Sequence, residues 1–281
     1  MMLQTLPNID INIKCGNSLI ARFALDADLK QALKQSKWNI DSYKTAVATY
    51  RNAQNKDEKR AMEQLIVDIK SNFRSEIGIH DPKKLKLEKL RGEMFNYTQQ
   101  VGLFERSKKE QTEWNKRVNT LAADIKKLDT EIEEIKSNKI YENAFEWRFE
   151  FPEVLNDAGD FVGFDVVIGN PPYFSISNEP SLNVVSNKYQ TFNKTGDIYS
   201  LFIELSFEII RDKYFSTMII SNKWMRANYG FELRKFLNSN TNIIEIIDFG
   251  QNLIFDNAIV HTNIITFSKS NSGQEIIATK F

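Results

Sequence analysis

The chain has 281 residues, 42% of them hydrophobic, and its 37 basic and 37 acidic side chains cancel to a formal net charge of zero. That length holds one large domain or two smaller ones; no run reaches the roughly 18 apolar residues that a membrane span needs, and the start, MMLQTLPNID, lacks the basic-then-apolar pattern of a signal peptide. The single cysteine, Cys15, rules out an internal disulfide, and His80 and His261 have no zinc-ligand spacing with it, so no metal site is implied and a reducing cytoplasm is the default compartment.

In chain order, Ile9–Lys14 alternates apolar and polar residues, which predicts a short strand, and Cys15-Gly16-Asn17-Ser18 predicts a turn after it. Residues from about 27 to 139 are poor in Gly and Pro and rich in Lys, Glu, Gln and Ala, a helical composition. Within them Trp114, Val118, Leu121, Ile125, Leu128, Ile132 and Ile135 recur at alternating steps of four and three, the seam of a coiled coil. Tyr43, Val47 and Tyr50, with Met62, Leu65, Ile66, Ile69 and Phe73, are expected to supply the facing helices, with breaks near Asn52–Asp57 and Gly78–Pro82. The expected arrangement is an antiparallel helical arm inserted between two strands of a sheet. Two roles stay open for it: a solvated structural arm, or one that touches the protein's macromolecular substrate or braces another domain.

From residue 141 strands and helices alternate. Strands are predicted at Phe164–Ile168, Ser216–Ser221, Ile243–Phe249 and Ile259–Phe267, the last two as a closing pair, and helices at Ile198–Arg211 and Phe231–Leu237. Such alternation implies an α/β fold with a mostly parallel sheet and covering helices. The apolar run Phe164-Asp165-Val166-Val167-Ile168-Gly169 stops abruptly in Asn170-Pro171-Pro172-Tyr173, at the carboxyl end of a strand, where open α/β sheets bind ligands. Two prolines fix the backbone and remove two N–H donors. An amide oxygen, a fixed carbonyl and an aromatic face together suit a planar, amino-bearing ring such as a nucleobase, and an aromatic directly after a diproline turn is expected to stay clear of the core.

Phe-Asp-Val-Val-Ile-Gly-Asn-Pro-Pro-Tyr resembles the catalytic motif of amino-methyltransferases that use S-adenosyl-L-methionine (AdoMet), above all adenine-specific DNA methyltransferases, although protein-glutamine and ribosomal-RNA methyltransferases carry the tetrapeptide too. Glu146–Val154 upstream resembles the lead-in of large type IIG restriction–modification methylases. Gly196-Asp197-Ile198-Tyr199-Ser200-Leu201-Phe202, Ser221-Asn222-Lys223-Trp224 with Leu233-Arg234, and Ile247-Asp248-Phe249-Gly250 with Phe255 resemble the motifs that follow, in family order. The resemblance implies a partial Rossmann-like methyltransferase sheet with a long helical insertion: residues 1–26 starting the core, 27–139 the insertion, and 140–281 the catalytic core.

The resemblance assigns roles residue by residue. The Asn170 side-chain oxygen and the Pro171 carbonyl accept hydrogen bonds from the exocyclic amine of a flipped adenine, Tyr173 stacks on its ring, and Phe255 covers the other side. Asn17, Asp197 and Asn170 line the AdoMet pocket; for Asn17 an ordinary turn residue, and for Asp197 a helix N-cap, are the competing explanations. Lys223 and Arg226 stand where phosphate contacts are feasible. The family's glycine-rich AdoMet loop has no counterpart, since no Gly-x-Gly occurs in the chain, and the two strands that go with that loop would leave a gap in the sheet between residues 9–14 and 164–168. The implied partners are therefore double-stranded DNA, an amino-terminal AdoMet-binding half and a target-recognition domain, in cis or in trans; a balanced charge agrees with a DNA-reading domain supplied from elsewhere. Two other readings stay open: an inactive or purely structural assembly subunit, and a methyltransferase acting on protein glutamine or RNA. Asp129 with Glu134-Ile135-Lys136 fits a loose nuclease pattern but falls on the outer face of the heptad helix.

Overall fold

The computed structural model describes residues 8–26, 34–99, 107–137, 139–255, 260–270 and 276–281. Two compact units divide the chain, Met1–Phe161 and Val162–Phe281. The first is built on four helices: α1 (Ile40–Asn52), α2 (Lys56–Ile79), α3 (Pro82–Gln99) and α4 (Lys108–Ser137). Asn39 and Asn55 start α1 and α2 by accepting the backbone N–H groups of Ser42 and Glu58, which satisfies donors that an uncapped helix leaves open. Their apolar faces close over Tyr43, Val47, Ile66, Ile69, Phe73 and Ile77, joined by Phe149 and Leu155 from the segment after the arm. The Tyr43 hydroxyl donates to the Phe149 carbonyl at 2.6 Å, and its ring meets Phe73 edge-on at 6.1 Å.

The heptad seam forms as predicted: Leu121 and Ile132 are buried, and the other five seam positions are half-buried. Its partner is not the earlier helix pair, however. The facing helix is α3, through Leu87, Leu90, Met94 and Tyr97, with Tyr97 stacked on Trp114 at 6.3 Å. The α1–α2 pair instead packs on itself. Asp129, the acid of the loose nuclease pattern, accepts both its hydrogen bonds from Arg91 at 2.9 Å.

The strand expected at Ile9–Lys14 is absent; Ile9–Asn12 is a 3-10 turn. The polar groups of this stretch are taken up by the end of α1. Asn8 Nδ2 donates to the Tyr50 and Ala53 carbonyls (3.1 and 3.2 Å), Tyr50 Oη donates to Asp10 (2.8 Å), Arg51 to Asn12 (2.8 Å), and Lys59 pairs with Asp10 at 2.8 Å. Capping a carbonyl-rich helix end satisfies more backbone groups than an isolated strand would.

The second unit is a five-stranded sheet, β1 (Phe164–Gly169), β2 (Ile210–Ser221), β3 (Asn242–Leu253), β4 (His261–Ser268) and β5 (Ile277–Lys280), in the order β1-β2-β4-β3-β5. It is mixed rather than mostly parallel: β1·β2 and β3·β5 are parallel, and β2·β4 and β3·β4 antiparallel. The predicted closing pair is β3·β4, with Ile259 outside the described residues. Helix α5 (Tyr199–Ile209) ends two residues earlier than predicted, and β2 begins at once. β1 stands at one edge of a continuous sheet, so no gap interrupts the described strands. With α6 (Phe231–Asn240), α5 covers the face that carries Met218, Ile220, Ile265 and Phe267. On the opposite face Val166 and Phe215, register partners, and Ile168 remain exposed. Among the described residues no helix is long and apolar enough to cross a membrane.

Candidate active site

β1 delivers Asn170 to the carboxyl edge of the sheet, and the diproline turn then reverses the chain so that Tyr173 comes back over β2. Asn170 and Pro172 are exposed, Pro171 is buried and Tyr173 half-buried. The Tyr173 hydroxyl lies 2.6 Å from Asn170 Oδ1 and 2.9 Å from the Ile219 carbonyl oxygen, so two acceptors share one phenolic proton. Burial raises the Tyr173 phenol above its usual range and keeps it protonated. The ring packs against the core cluster of this unit and meets Tyr199 edge-on at 6.4 Å. The expectation that this aromatic stands clear of the core is therefore not met: its ring packs on the core cluster and its hydroxyl is tied to the backbone of β2, leaving the side chain half-buried.

The chain after the corner runs against Gly196–Ile198. Ser175 bridges to Asp197, Ile176 N–H donates to the Gly196 carbonyl at 2.8 Å, and Ile198 N–H donates to the Phe174 carbonyl at 2.9 Å. That pairing brings Asp197 beside the loop of the Asn-Pro-Pro-Tyr corner. Its Oδ2 accepts from the Tyr229 hydroxyl at 3.1 Å. The helix cap belongs to Ile198, with no side-chain cap bond, so Asp197 is not explained as an N-cap carboxylate. Below it the Tyr199 hydroxyl is buried near Tyr229 and Asp197, and burial, then these two neighbours, push its phenol far up.

Phe255 is half-buried just past the end of β3. Asn17 belongs to the helical unit, where its Oδ1 accepts from Leu19 N–H at 3.3 Å and its backbone pairs with Asn143 and Phe145; this is local turn chemistry. The family resemblance assigns no role to Asn222 and Asp248, although both sit in its motif blocks. Asn222 Nδ2 donates to Asp248 Oδ1 at 2.9 Å and to the Gly250 carbonyl at 3.1 Å, and Gly250 N–H reaches the same carboxylate oxygen at 3.0 Å. The signal that could have found the pair is positional: Asn222 follows the end of β2, Asp248 is where the regular pairing of β3 with β4 breaks, and the two strands run the same way. Among the described residues no three His, Cys, Asp or Glu side chains cluster as metal ligands would.

A mixed α/β unit with an exposed amide at a diproline corner, bonded to Tyr173 and followed by a loop that pairs with the Asp197 segment, defines a class of site. Comparison with known proteins names the family. The pattern of the Eco57I restriction–modification methylases matches residues 9–255, and the chain belongs to that family. It is 32% identical over 113 residues to the type II restriction enzyme and methyltransferase RM.Eco57I of Escherichia coli, covering 38% of this chain and 11% of that protein. Against the type II methyltransferase M.BstVI of Geobacillus stearothermophilus it is 29% identical over 105 residues, covering 37% and 19%. The type IIG restriction endonuclease BpuSI is similar in structure over 47% of this chain and 18% of its own, with 21% identity and a TM-score of 0.34. The chain thus matches under a fifth of the length of these relatives.

Proposed function

We propose that this chain carries the catalytic corner of a site-specific DNA adenine methyltransferase of a type II restriction–modification system, transferring a methyl group from AdoMet to the exocyclic nitrogen of an adenine turned out of the duplex. The observation that supports this most is the exposed Asn170 amide at the carboxyl end of β1, beside a buried Pro171 and a Tyr173 anchored on one flank. The adenine amine is a weak nucleophile because its lone pair is delocalised into the ring. Asn170 Oδ1 and the Pro171 carbonyl accept from its two N–H groups, localise the lone pair and stabilise the positive charge that develops on nitrogen. No strong base is needed, since the amine becomes acidic only once methylated.

The present hydrogen bond of Tyr173 to Asn170 does not obstruct this. With the Ile219 carbonyl as a second acceptor at 2.9 Å, the phenolic proton turns away and frees Oδ1 without leaving the hydroxyl unsatisfied. The Tyr173 ring then offers its free face to the base, where stacking returns roughly 1–3 kcal/mol against the few kcal/mol that extrusion costs. Phe255 is assigned to the far side of the base. AdoMet, when bound, supplies the electrophilic methyl group; Asp197 and Asn170, both in the sheet unit, are proposed to hold it. These residues make part of a cofactor site. The half-buried Asp197 carboxylate, with Tyr229 on one oxygen, suits a ribose or ammonium donor, whereas the 281 residues contain no Gly-x-Gly turn for close backbone approach. We therefore assign the glycine-rich part of the cofactor site and the sequence-reading domain to polypeptide in cis or in trans.

The test is transfer of labelled methyl from AdoMet to duplex DNA by this chain, alone and completed with a glycine-rich AdoMet-binding half. Activity is expected only in the completed enzyme, and Asn170→Ala is expected to lower it by about 10²–10³-fold, the usual size of losing one charge-stabilising acceptor or donor. Full activity of the alanine variant sinks the catalytic assignment; robust transfer by the chain alone sinks the shared cofactor site.

A further inference from the structure

The five strands bring one edge of the sheet together. β1, β2, β3 and β5 all finish there, and β4, antiparallel to β2 and β3, begins there. On that edge opens a cleft of about 640 Å³, whose walls include Asn222, Lys223, Arg226, Asp248, His261 and Lys280. Three full cations thus face one carboxylate. Asp248 is already engaged: its Oδ1 accepts from Asn222 and from Gly250 N–H. Burial alone would push its carboxyl up, but these two hydrogen bonds and the charges of Lys280 and Arg226 outweigh burial and hold it below the usual carboxylate range. Lys223, Arg226 and Lys280 form no ion pair among the described residues and are exposed. The Nδ1 atom of His261, in the same wall, is buried without a hydrogen-bond partner.

The cleft is rigidly framed. The Trp224 indole donates to Asn263 Oδ1 at 3.1 Å in the core, Arg234 donates to the Ala227 carbonyl at 2.9 Å, and Gly230 lies so close to Trp224 that a Cβ on it would stand 2.1 Å from the Trp224 carbonyl oxygen. Tyr229, which also lines the cleft, is tied through Asp197 to the loop that follows the Asn170 corner. Unpaired cations held on a stiff frame concentrate positive potential where an anion can approach.

We infer that this cleft is a phosphodiester-binding site, with Lys223, Arg226 and Lys280 as contacts to consecutive backbone phosphates of the DNA strand whose base reaches Asn170. The inference rests on the methyltransferase reading for the identity of the nucleic acid. Its geometry is independent of it. The cleft residues belong to strands one to four places from β1, which at roughly 4.8 Å per strand lies about 5–19 Å from the corner. That span corresponds to about two to five nucleotides at the 3.4 Å rise of one strand. A sequence-independent backbone contact of this kind positions the duplex and reads no bases.

The experiment is fluorescence anisotropy of a labelled duplex with the full chain between about 50 and 200 mM salt. The variant Lys223→Gln/Arg226→Gln/Lys280→Gln is expected to flatten the plot of log affinity against log salt by about 2–3 units, near 0.9 for each phosphate that is no longer neutralised. The control Arg91→Gln/Arg117→Gln, on the helical unit, is expected to leave that slope unchanged. The three substituted side chains are exposed, and an unchanged far-UV circular dichroism spectrum and melting temperature verify the fold. An unchanged slope in the triple variant, or no duplex binding by the unmodified chain at the lowest salt, overturns the proposal. So does an NMR titration in which inorganic phosphate shifts the His261 ring signals and duplex does not, which would assign the cleft to a free phosphate ester. A completed enzyme that binds duplex through this cleft yet transfers no methyl leaves the present inference standing and sinks the catalytic one; methylation with an unaltered salt slope does the reverse.

Discussion

Ion pairs gather in the helical unit, whereas among the described residues the sheet unit leaves three cations without an ion pair at one cleft. Along α3 and α4, Lys83 pairs with Glu131 at 3.1 Å, Arg91 with Asp129 at 2.9 Å and Arg117 with Glu93 at 3.2 Å, while Lys70 reaches Glu150 and Arg51 pairs with Glu153. In the sheet unit Arg211 pairs with Asp165, but Lys223, Arg226 and Lys280 line a cleft whose one carboxylate side chain is already engaged. The contrast lies at this cleft and not in the sheet unit as a whole, since among the described residues buried polar atoms without a partner occur in both units, Arg51 Nε in the helical one and His261 Nδ1, Thr262 Oγ1 and Asn263 Nδ2 in the sheet. A net charge of zero hides a local feature of this kind, because basic and acidic side chains cancel over the chain whatever their placement.

The sharpest way to break the comparison is to disturb the frame of the cleft. Gly230→Ala places a methyl 2.1 Å from the Trp224 carbonyl, a backbone atom that cannot swing aside. Urea denaturation is expected to show a loss of about 2–4 kcal/mol, in the range of forced overpacking and backbone displacement. By contrast Gly92→Ala in α3 meets nothing within 4 Å, and replacing an exposed mid-helix glycine is expected to gain roughly 0.5–1 kcal/mol. Opposite signs at the two glycines support the division; equal signs would mean that the frame is looser than its contacts suggest.

The same contrast explains what is legible in the sequence. The seam from Trp114 to Ile135 is legible because every one of its positions is periodic and every one is covered. Its partner α3 is not, since exposed Leu85 and Phe95 blur the stripe made by Leu87, Leu90, Met94 and Tyr97. The Asn170 corner is legible as a break in an apolar run. Ile9–Lys14 misleads because alternation cannot reveal that Asp10 and Asn12 are claimed by Tyr50, Lys59 and Arg51, about 40 residues and more away. The start of β2 is hidden for a related reason. Its pairing with β1 is irregular between Phe164 and Val166, and Lys213 takes a left-handed φ of 69°, so strand residues follow the helix with no turn signal between them. The cationic cleft is legible only in part: the motif positions point to Lys223 and Arg226, but not to Lys280, Asp248 or His261, because the cleft draws on four separated segments that only the strand order unites.

A smaller effect sharpens the helical side. Glu146 is buried, and its carboxylate accepts the Arg22 backbone N–H at 2.7 Å. Burial raises its pKa, and the Arg22 hydrogen bond and charge offset that only in part. A carboxyl raised in the folded state adds stability below the unfolded value of about 4.3, and that contribution is lost as pH rises through the folded value. Glu146→Gln keeps an acceptor and removes the charge, so the melting temperature of the variant is expected to exceed the parent's at neutral pH and to converge with it near pH 4. A variant less stable at neutral pH would instead mean that Arg22 compensates the buried charge in full.

The smallest expected effect is at Arg91→Ala. Its Nη2 alone reaches both oxygens of Asp129, a bifurcated contact rather than a two-nitrogen fork, and the two side chains are 57% and 43% exposed. Water screens such a pair, and fixing two flexible side chains costs entropy, so the loss is expected to stay within about 0.2–1 kcal/mol and to shrink as salt is added. The Leu121 and Ile132 contacts of the seam, not its ion pairs, then hold α3 against α4. A loss well above 1 kcal/mol that persists at high salt would show the arm to be an electrostatic device. Pairing its charges would then do more than neutralise a solvated surface, and the contrast with the sheet unit would be one of sign rather than of purpose.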